Sequence, residues 1–570
     1  MDTAVSRPLK LPAPTFAELF TPKLLTVLRE GYGLAEFKAD AIAGLTVAIV
    51  ALPLSMAIAI GSGLSPDKGL YTAIIGGFVI SALGGSRFQI GGPAGAFIVL
   101  IASVVERHGY DGLVLATLMA GVMMLAVGFM RLGTYIKYIP FPVTVGFTAG
   151  IGVIIMASQM KELLGLDMVK EPAALLPKLA AIAASLHTVK PVTLALAVST
   201  IAIILVLRRY RPKWPGLLIA IGVAAALTGV LQLDVATIGT RFGGVPRTLP
   251  APALPALDLA KMHAVLPDAV AIALLGAIES LLSAVVADGM SGRRHRSNCE
   301  LVAQGAGNIA AVVFGGMCVT GTIARTATNV RAGARGPIAG MLHAAYLLVF
   351  MLVAAPLAVY IPLASLGGVL AVVAWNMAEK QAFASLVRAS WGDAAVLLAT
   401  FFLTIFADLT LAIAVGVTLG AFLFLHRMAE SVEIAGGGRL IATDTADTTG
   451  ANREAYDPTA VDQQIVVYRI TGAFFFGATA SISSVLDRIG QSPRVFVLDL
   501  TEVPLIDSTG ANALESFALK LHRAGTHVYL AGASKPVRRT LLRAGLRKPH
   551  VRYVATVEDA LVRRRQKGTP

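Results

Sequence analysis

A single carboxylate interrupts a long apolar stretch of the chain. Residues 269–287 read AVAIALLGAIESLLSAVVA, and Glu279 lies near their middle. Such a run is long enough to cross a bilayer, and an ionisable group at that depth is costly and usually functional. Glu279 therefore has two interpretations. It is either a structural carboxylate paired with a cation or a facing helix, or a coupling group that gains and loses a proton as the protein works.

Two short apolar segments begin with glycine-rich sequence. One starts at GGPAG, residues 91–95, and the other follows Gly315-Gly316 and begins with TGT, residues 320–322. They are third and tenth in two sets of seven apolar segments. Short, Gly- or Pro-interrupted segments at matching places in two halves indicate the binding site of an inverted-repeat transporter. Glycines that only permit tight helix packing are the alternative.

Two half-helices that begin at one point in the membrane can bind an anion through free N–H groups and positive dipole ends. We expect Pro93 in the first helical turn, where its missing N–H has little effect. Arg325 follows the second helix start, and it either adds positive charge to the site or pairs with a carboxylate such as Glu279. The predicted anion-binding backbone lies at Gly92, Pro93, Ala94, Gly95, Ala96, Gly321, Thr322, Ile323 and Ala324.

The composition is that of a polytopic membrane protein. The chain has 570 residues, of which 56% are hydrophobic and 14% charged, whereas soluble chains carry about 25% charged residues. No cleavable signal pattern occurs at the N-terminus. Apolar segments lie at about 39–60, 68–85, 93–106, 112–131, 138–163, 192–208, 214–231, 266–289, 298–315, 323–335, 337–356, 362–377, 393–408 and 409–427. Residues 172–187 are expected to form an amphipathic surface helix instead of a span.

The excess of basic residues predicts orientation in the membrane. The net charge is +14, and its Lys and Arg residues cluster in alternate loops, such as 208–211 and 293–296. The positive-inside rule places those loops, and both termini, in the cytoplasm, so the charge does not indicate nucleic-acid binding. Cys299 and Cys318 lack metal-ligand spacing. No metal cluster, Walker motif or nucleophile–base set indicates an enzyme or an ATP-driven pump.

The composition changes after Arg427. Strand-like alternation at 465–470, 495–500 and 527–530, with helical periodicity at 511–524, predicts a small α/β domain. The predicted organisation is a cytoplasmic N-terminal segment, a first transmembrane repeat, an extracytoplasmic loop, a second transmembrane repeat, a linker and this α/β domain. Their bounds are 1–38, 39–231, 232–265, 266–427, 428–462 and 463–565.

These motifs resemble the SulP anion permeases, relatives of solute carrier family 26. The resemblance rests on AIAGLTVA at 41–48 followed by Pro53, on GLYT at 69–72, GGP at 91–93, NCELVAQG at 298–305, RTATN at 325–329 and RAGAR at 331–335. The sequence DSTG at 507–510, after a strand and before a helix, resembles the signature of a STAS domain. The match extends over nearly the whole chain in the expected order.

The resemblance implies a uracil-permease-like fold with fourteen transmembrane segments in two inverted seven-helix repeats. A core domain would bind the substrate beside a gate domain, with Ser55 and Ser283 near the pocket. It implies a homodimer in the cytoplasmic (inner) membrane, a cytoplasmic STAS domain and no cofactor other than a coupling ion. Sequences 53–55, 276–282, 323–325 and 373–377 are most similar to the bacterial C4-dicarboxylate (DauA-type) branch, and many sulfate members have glutamine in place of Leu54.

The predicted function is proton-coupled uptake of sulfate or a C4-dicarboxylate. Some bicarbonate-transporting relatives have Asp in place of Glu279 and bind sodium there with a neighbouring hydroxyl, as at Ser283. Sodium-coupled bicarbonate transport and anion exchange are therefore alternatives. An alternative of another class is a membrane-anchored signalling protein whose STAS domain binds a cytoplasmic protein. In that domain Thr509 either caps its helix or is phosphorylated, as in anti-sigma antagonists.

Overall fold

The computed structural model describes residues 15–136, 139–168, 172, 174–212, 214–407, 409–430, 433–435, 465–475 and 494–565. The chain divides into two compact units, Met1–Val417 and Thr418–Pro570. Residues 436–464, which include most of the predicted linker, lie outside the described ranges.

The first half of the membrane unit contains eleven helices and one short strand among the described residues. The helices are α1 (Phe16–Phe20), α2 (Lys23–Arg29), α3 (Leu34–Gly61), α4 (Pro66–Tyr71), α5 (Gly77–Leu83), α6 (Ile98–Phe129), α7 (Gly133–Ile136), α8 (Phe141–Leu164), α9 (Leu175–Ser185), α10 (Pro191–Tyr210) and α11 (Gly216–Leu231). A π-helical turn joins α4 to α5. The strand β1 (Gly91–Gly92) is followed by a 3₁₀ turn, Gly95–Phe97, that leads into α6.

The second half repeats this pattern. Its elements are α12 (Ile238–Phe242), α13 (Leu259–Ser291), α14 (Ser297–Val313), β2 (Thr320–Gly321), α15 (Ile323–Arg331), α16 (Ile338–Ala358), α17 (Leu363–Met377), α18 (Lys380–Ala389), α19 (Trp391–Phe406) and α20 (Leu409–Glu430). Helix α13 begins at Leu259 and not at 266, and α12 lies inside the predicted loop 232–265. Both differences arise because these loop residues are less apolar than the spans they precede.

Each of the fourteen predicted apolar segments contains a helix among the described residues. Within the part of the chain that the structure describes, seven helices are long and apolar enough to cross a membrane, and α11 and α19 are shorter apolar helices. Helix α6 contains most of the predicted segments 93–106 and 112–131, and Gly109, with φ 70°, breaks the helix between them. The chain is a polytopic membrane protein. Helix α9, Leu175–Ser185, lies within the predicted segment 172–187.

The membrane helices pack in two groups. Helix α6 packs against α13 and α14, and α3 packs against α16, whereas α8 packs against α17 and α19. Helices α3 and α16 approach closely because Gly44 has no side chain. A Cβ there would lie 2.5 Å from the carbonyl oxygen of Ala339, a use of small residues common in membranes. We call the first group the core and the second the gate.

The second unit is an α/β domain. Its five-stranded sheet has the order β3–β4–β5–β6–β7, in which β3 (Glu433–Ala435) is antiparallel to β4 (Ile465–Thr471) and the rest are parallel. The other elements are β5 (Val495–Glu502), α21 (Ser508–Arg523), β6 (His527–Ala531), α22 (Lys535–Arg543), β7 (Val551–Val554) and α23 (Val557–Arg565). The sequence predicted β4, β5, β6 and α21. It placed β3 in the linker 428–462 because three residues are too few for a recognisable alternation.

Candidate functional site

The two glycine-rich sequences meet inside the core. Strands β1 and β2 pair antiparallel, with Gly91 opposite Gly321 and Gly92 opposite Thr320. The Thr322 N–H donates to the Ile90 carbonyl oxygen at 3.1 Å. The 3₁₀ turn before α6 and the helix α15 therefore begin beside each other, although they come from different halves of the chain.

The first turns after these strands carry N–H groups that no side chain caps. Ala94 and Thr322 are the N-caps, and neither accepts a bond from its helix through its side chain. First-turn N–H groups have no intrahelical acceptor and lie at the positive end of the helix dipole. The Thr322 hydroxyl is buried without a hydrogen-bond partner. Gly95 and Ile323 are half-buried and Ala324 is exposed, so this junction is accessible to a small anion.

Pro93 does not lie in a helical turn, contrary to the prediction. Ala94 is extended, with φ −115° and ψ 144°, and the 3₁₀ turn begins only at Gly95. Pro93 therefore precedes the N-cap. A proline disfavours helical backbone in the residue before it, so its ring supports the extended conformation of Gly92 in β1.

The Arg325 guanidinium lies beside the paired strands. Its side chain is buried, and Nη2 donates to Ser55 Oγ at 3.2 Å. Ser55 also donates to its own helix, at the Ala51 carbonyl oxygen, at 2.7 Å. Arg325 Nε and Nη1 have no hydrogen-bond partner within the described part of the chain. The guanidinium thus keeps donors for a further group, such as a bound anion.

Gly92 is required by this position of Arg325. A Cβ at residue 92 would lie only 1.8 Å from Arg325 Nη1. Any larger residue would therefore displace the guanidinium or distort β1. Gly95 is different, since a Cβ there would lie 3.2 Å from Met377 Sδ on α17. Gly95 therefore faces the gate.

Glu279 lies on α13, and its Oε2 atom is buried without a hydrogen-bond partner. Both residues are among those the structure describes, and no nitrogen atom of Arg325 lies within 4.0 Å of a Glu279 carboxylate oxygen. The direct pairing offered by one interpretation of the sequence is not formed in this conformation. Ser283, one turn further along α13, donates to Thr326 Oγ1 on α15 at 3.0 Å.

Sequence reasoning missed Thr326 and Gln89. Thr326 Oγ1 also accepts from the Ile90 N–H at 3.1 Å, so it links α13, α15 and the start of β1. The Gln89 amide donates to the Ser280 carbonyl oxygen at 2.9 Å, and a Cβ on Gly321 would collide with it. Both residues flank the glycine-rich motifs. Their closeness to the glycine-rich motifs in the sequence was the available signal.

Helix α14 forms hydrogen bonds with the backbone that leads into β2. The Asn308 amide donates to the Val319 carbonyl oxygen at 2.8 Å and accepts from the Val319 N–H at 2.9 Å. The next residue, Thr320, donates to the Gly276 carbonyl oxygen of α13 at 3.0 Å. Residues that precede and begin β2 are thus bonded to both neighbouring helices.

Glu300 holds the loop before β1 by a hydrogen bond, as Asn308 holds the residue before β2. It lies on α14, fully buried, and accepts from the Ser86 N–H at 3.0 Å and from the Gln304 amide at 2.9 Å. Glu300, Gln304 and Asn308 follow at intervals of four residues, so they form one buried polar column along α14. Across the residues that the structure describes, no group of three or more His, Cys, Asp or Glu side chains is placed to hold a metal ion.

A cavity of about 1070 Å³ separates part of the core from the gate. Its wall includes Ile98, one turn beyond Gly95, and Ile151 of α8. Two ion pairs lie at its rim. Arg107 Nη2 is 2.7 Å from Asp268 Oδ1, and Arg241 Nη1 is 2.5 Å from Glu162 Oε1. The cavity does not contain the amides of the junction itself, but it ends close to them.

The profile of the sulfate permease family matches residues 37–400, and that of the STAS domain matches residues 458–560. The chain belongs to the sulfate permease family. This permease is 39% identical over 519 residues to the candidate sulfate transporter YvdB of Bacillus subtilis (strain 168), covering 91% of this chain and 95% of YvdB. It is 31% identical over 515 residues to the bicarbonate transporter BicA of Synechocystis sp., covering 88% and 89% of the two chains.

The fold of the permease is similar to that of murine Slc26a9, an anion transporter in the inward-facing state. The TM-score is 0.83 at 17% sequence identity, and the match covers 99% of this chain and 97% of the other. Because the chain belongs to the sulfate permease family, the permease is an anion transporter and not an enzyme. Its assignment to the dicarboxylate branch stays a prediction.

In the STAS domain of the permease, Asp507 caps α21. Its Oδ1 accepts from the Gly510 N–H at 2.7 Å, and the helix begins at Ser508. The prediction that Thr509 caps the helix is therefore wrong, because Thr509 lies inside the first turn. Its side chain is exposed, and the phosphorylation hypothesis stays a prediction.

Proposed function

We propose that this permease takes up sulfate or a C4-dicarboxylate by proton-coupled secondary transport across the cytoplasmic membrane. The observation that carries the proposal is the pairing of β1 with β2, which brings two helix N-termini and the Arg325 guanidinium together. The anion would accept hydrogen bonds from backbone N–H groups near Gly95, Ala96, Ile323 and Ala324. Arg325 would offer Nη1, which no described residue uses.

Backbone donors of this kind suit both proposed substrates. Sulfate and carboxylate oxygens both accept N–H bonds, and helix N-termini bind either anion without a specific side chain. A dicarboxylate has a second carboxylate several ångströms away, and a guanidinium can bind it through two parallel bonds. Competition between labelled sulfate and unlabelled succinate in proteoliposomes would distinguish the two substrates.

Transport would follow from movement of the core against the gate. Gly95 lies against Met377 and Val373 of α17, so the gate covers one side of the proposed anion site. The cavity between the groups approaches from another side. We infer from the basic loops that both termini and the STAS domain are cytoplasmic, and from the family resemblance that the permease is a homodimer.

Glu279 is the proposed proton carrier. Its carboxylate lacks a partner at Oε2, and its helix is tied to the anion site by the bonds from Thr320 to Gly276 and from Ser283 to Thr326. Protonation there would remove a negative charge near the bound anion and Arg325. Binding of the proton and binding of the anion would thereby favour each other.

The Glu279→Gln variant tests the coupling. Glutamine keeps the size of the side chain but cannot exchange a proton, so we expect pH-driven accumulation in proteoliposomes to disappear while the protein stays folded. Counterflow of labelled anion at equal pH should persist, because it needs no net proton movement. If the variant keeps the full pH dependence of uptake, the coupling role of Glu279 is wrong.

Sodium-coupled bicarbonate transport is the second candidate. Its support is the similarity to BicA and the presence of Ser283 one turn from Glu279. The Ser283 hydroxyl donates to Thr326 and keeps its oxygen lone pairs, so this bond does not distinguish sodium from proton coupling. Replacement of sodium by potassium at constant pH should leave the flux unchanged under the proton proposal and should abolish it under the sodium alternative.

A further inference from the structure

A second cavity, of about 880 Å³, lies among α8, α10, α17 and α18 and shares no residue with the proposed anion site. We call it the gate groove. Its wall is apolar over most of its length and polar at one end. The apolar wall consists of Met156, Leu163, Ile201, Leu205, Ala371, Val372 and Ala382, and the polar end of Arg208, Trp375, Asn376, Glu379, Lys380 and Gln381.

Two cations are held in place at the polar end. Arg208 Nη1 donates to Asn376 Oδ1 at 3.0 Å. Lys380 Nζ lies 3.5 Å from the centre of the Trp375 ring and donates to the Trp375 carbonyl oxygen at 2.9 Å. Both side chains remain exposed, and each has further donors because guanidinium carries five N–H groups and ammonium three. Glu379 is the single acid of the lining residues, so cations outnumber acids there.

The groove has the dimensions and position of a lipid site. Arg208 and Ile201 are seven residues apart on α10, which corresponds to about 10 Å of helix, enough for the upper part of an acyl chain. Trp375 is 62% exposed, and exposed tryptophan is enriched where a bilayer meets water. Basic pockets between transmembrane helices bind anionic lipid headgroups.

Helix α18 forms the polar side of the gate groove. None of its described residues is buried, and its Phe383 ring contacts the Phe401 ring of α19 with centroids 5.3 Å apart. A short helix that is apolar on one face and charged on the other is typical of the membrane interface. It therefore places Lys380 at the depth where phospholipid phosphates lie.

We propose that the gate groove binds one anionic phospholipid, with its phosphate between Arg208 and Lys380 and an acyl chain along the apolar wall. The basic loops assign this end of the gate to the cytoplasmic leaflet. The proposal is independent of the transported anion and of its coupling ion.

Native mass spectrometry of the full-length protein tests the proposal. The protein in mild detergent is titrated with phosphatidylglycerol or with phosphatidylcholine of identical acyl chains. We expect selective retention of phosphatidylglycerol, and the double variant Arg208→Gln, Lys380→Gln should weaken it by about fivefold for each charge removed. Arg209→Gln is the matched control, since this neighbouring exposed arginine does not line the groove, and it should leave binding unchanged.

A second variant tests the apolar wall. The Leu205 side chain is 50% exposed, so Leu205→Trp can fill the groove without disturbing the packed core, and it should also weaken phosphatidylglycerol binding. Unchanged binding in this variant, or displacement of the lipid by equimolar inorganic phosphate, would mean that charge alone is recognised and would overturn the proposal. Conversion of dimers to monomers by the double variant would identify the groove as an interface between copies, and it would overturn the proposal as well.

Discussion

Gly92 and Arg325 share one small space beside the paired strands. The guanidinium occupies the position that a side chain at residue 92 would need, and its sole hydrogen bond among the described residues goes to Ser55. The positive charge is therefore kept in place by the shape of the backbone more than by a counter-ion. A buried guanidinium with unused donors is unfavourable unless a ligand satisfies them.

Gly92→Ala tests this arrangement. We expect anion uptake to fall by about tenfold or more, the effect of losing a charge-assisted hydrogen bond, because the new methyl group displaces Arg325. Gly222→Ala on α11 is the matched control, since a Cβ there meets no atom within 4 Å, and it should transport normally. Equal activity of the two variants would show that the position of Arg325 does not matter for transport.

Asp507 and Thr509 have different positions at the start of α21, since Asp507 is the N-cap and Thr509 lies in the first turn. Asp507→Ala removes the side chain that caps the helix, and loss of such a cap costs about 1 kcal/mol. Hydrogen exchange of the α21 amides in the full-length protein should be about fivefold faster as a result. Thr509→Ala should leave exchange unchanged, and an equal effect of both variants would contradict the assignment of Asp507 as the cap.

At the scale of elements, the two short strands β1 and β2 are important for the proposed anion site. Strands β1 and β2 have two residues each, so their own pairing contributes little. Their positions depend on α14, through Asn308 and Glu300, and on α13, through the bond from Thr320 to Gly276. The buried polar column of α14 is thus a support for the anion site that touches no anion.

Asn308→Ala should therefore change affinity more than turnover. Loss of its two bonds to Val319 frees the residue before β2, so we expect the KM for the anion to rise by about tenfold while the maximal rate stays close to normal. Asn298→Ala is the control, because this buried amide of the same helix accepts from Gly133 instead. A lower maximal rate with unchanged KM in Asn308→Ala would indicate a role in movement and not in positioning.

Features that depend on residues close together in the chain were predictable from the sequence, whereas contacts between residues far apart in the chain were not. Apolar segments and their interruptions are local patterns, so the fourteen segments, the half-helix starts and the strands β4 to β6 were predictable. The partners Gln89, Thr326 and Asn308 act across elements far apart in the chain, and spacing carries no information about such contacts. Pro93 was misplaced by the length of the extended segment, since one additional residue, Ala94, precedes the helical turn.

At the scale of the whole membrane unit, the proposed transport requires the core to move against the gate. Gly61 of α3 lies against Leu370 of α17, with 3.0 Å between a Cβ at residue 61 and the Leu370 methyl carbon. Cross-linking a Gly61→Cys, Leu370→Cys double variant should stop uptake, because the two groups can no longer move independently, and a reductant should restore it. Each single variant under the same oxidant is the control, and undiminished flux through the cross-linked protein would exclude movement between α3 and α17.

The pairing of Gly91 with Gly321 also has a consequence for biosynthesis. The two strands belong to opposite repeats, and most of the membrane unit is translated between them. When the segments insert in chain order, the backbone of the first glycine-rich segment lacks its partner strand until the tenth segment has been inserted. Unsatisfied backbone groups are unfavourable in hydrocarbon. We expect the site to assemble late, so a ribosome-stalled chain that ends before β2 should engage membrane chaperones for longer than the complete permease does.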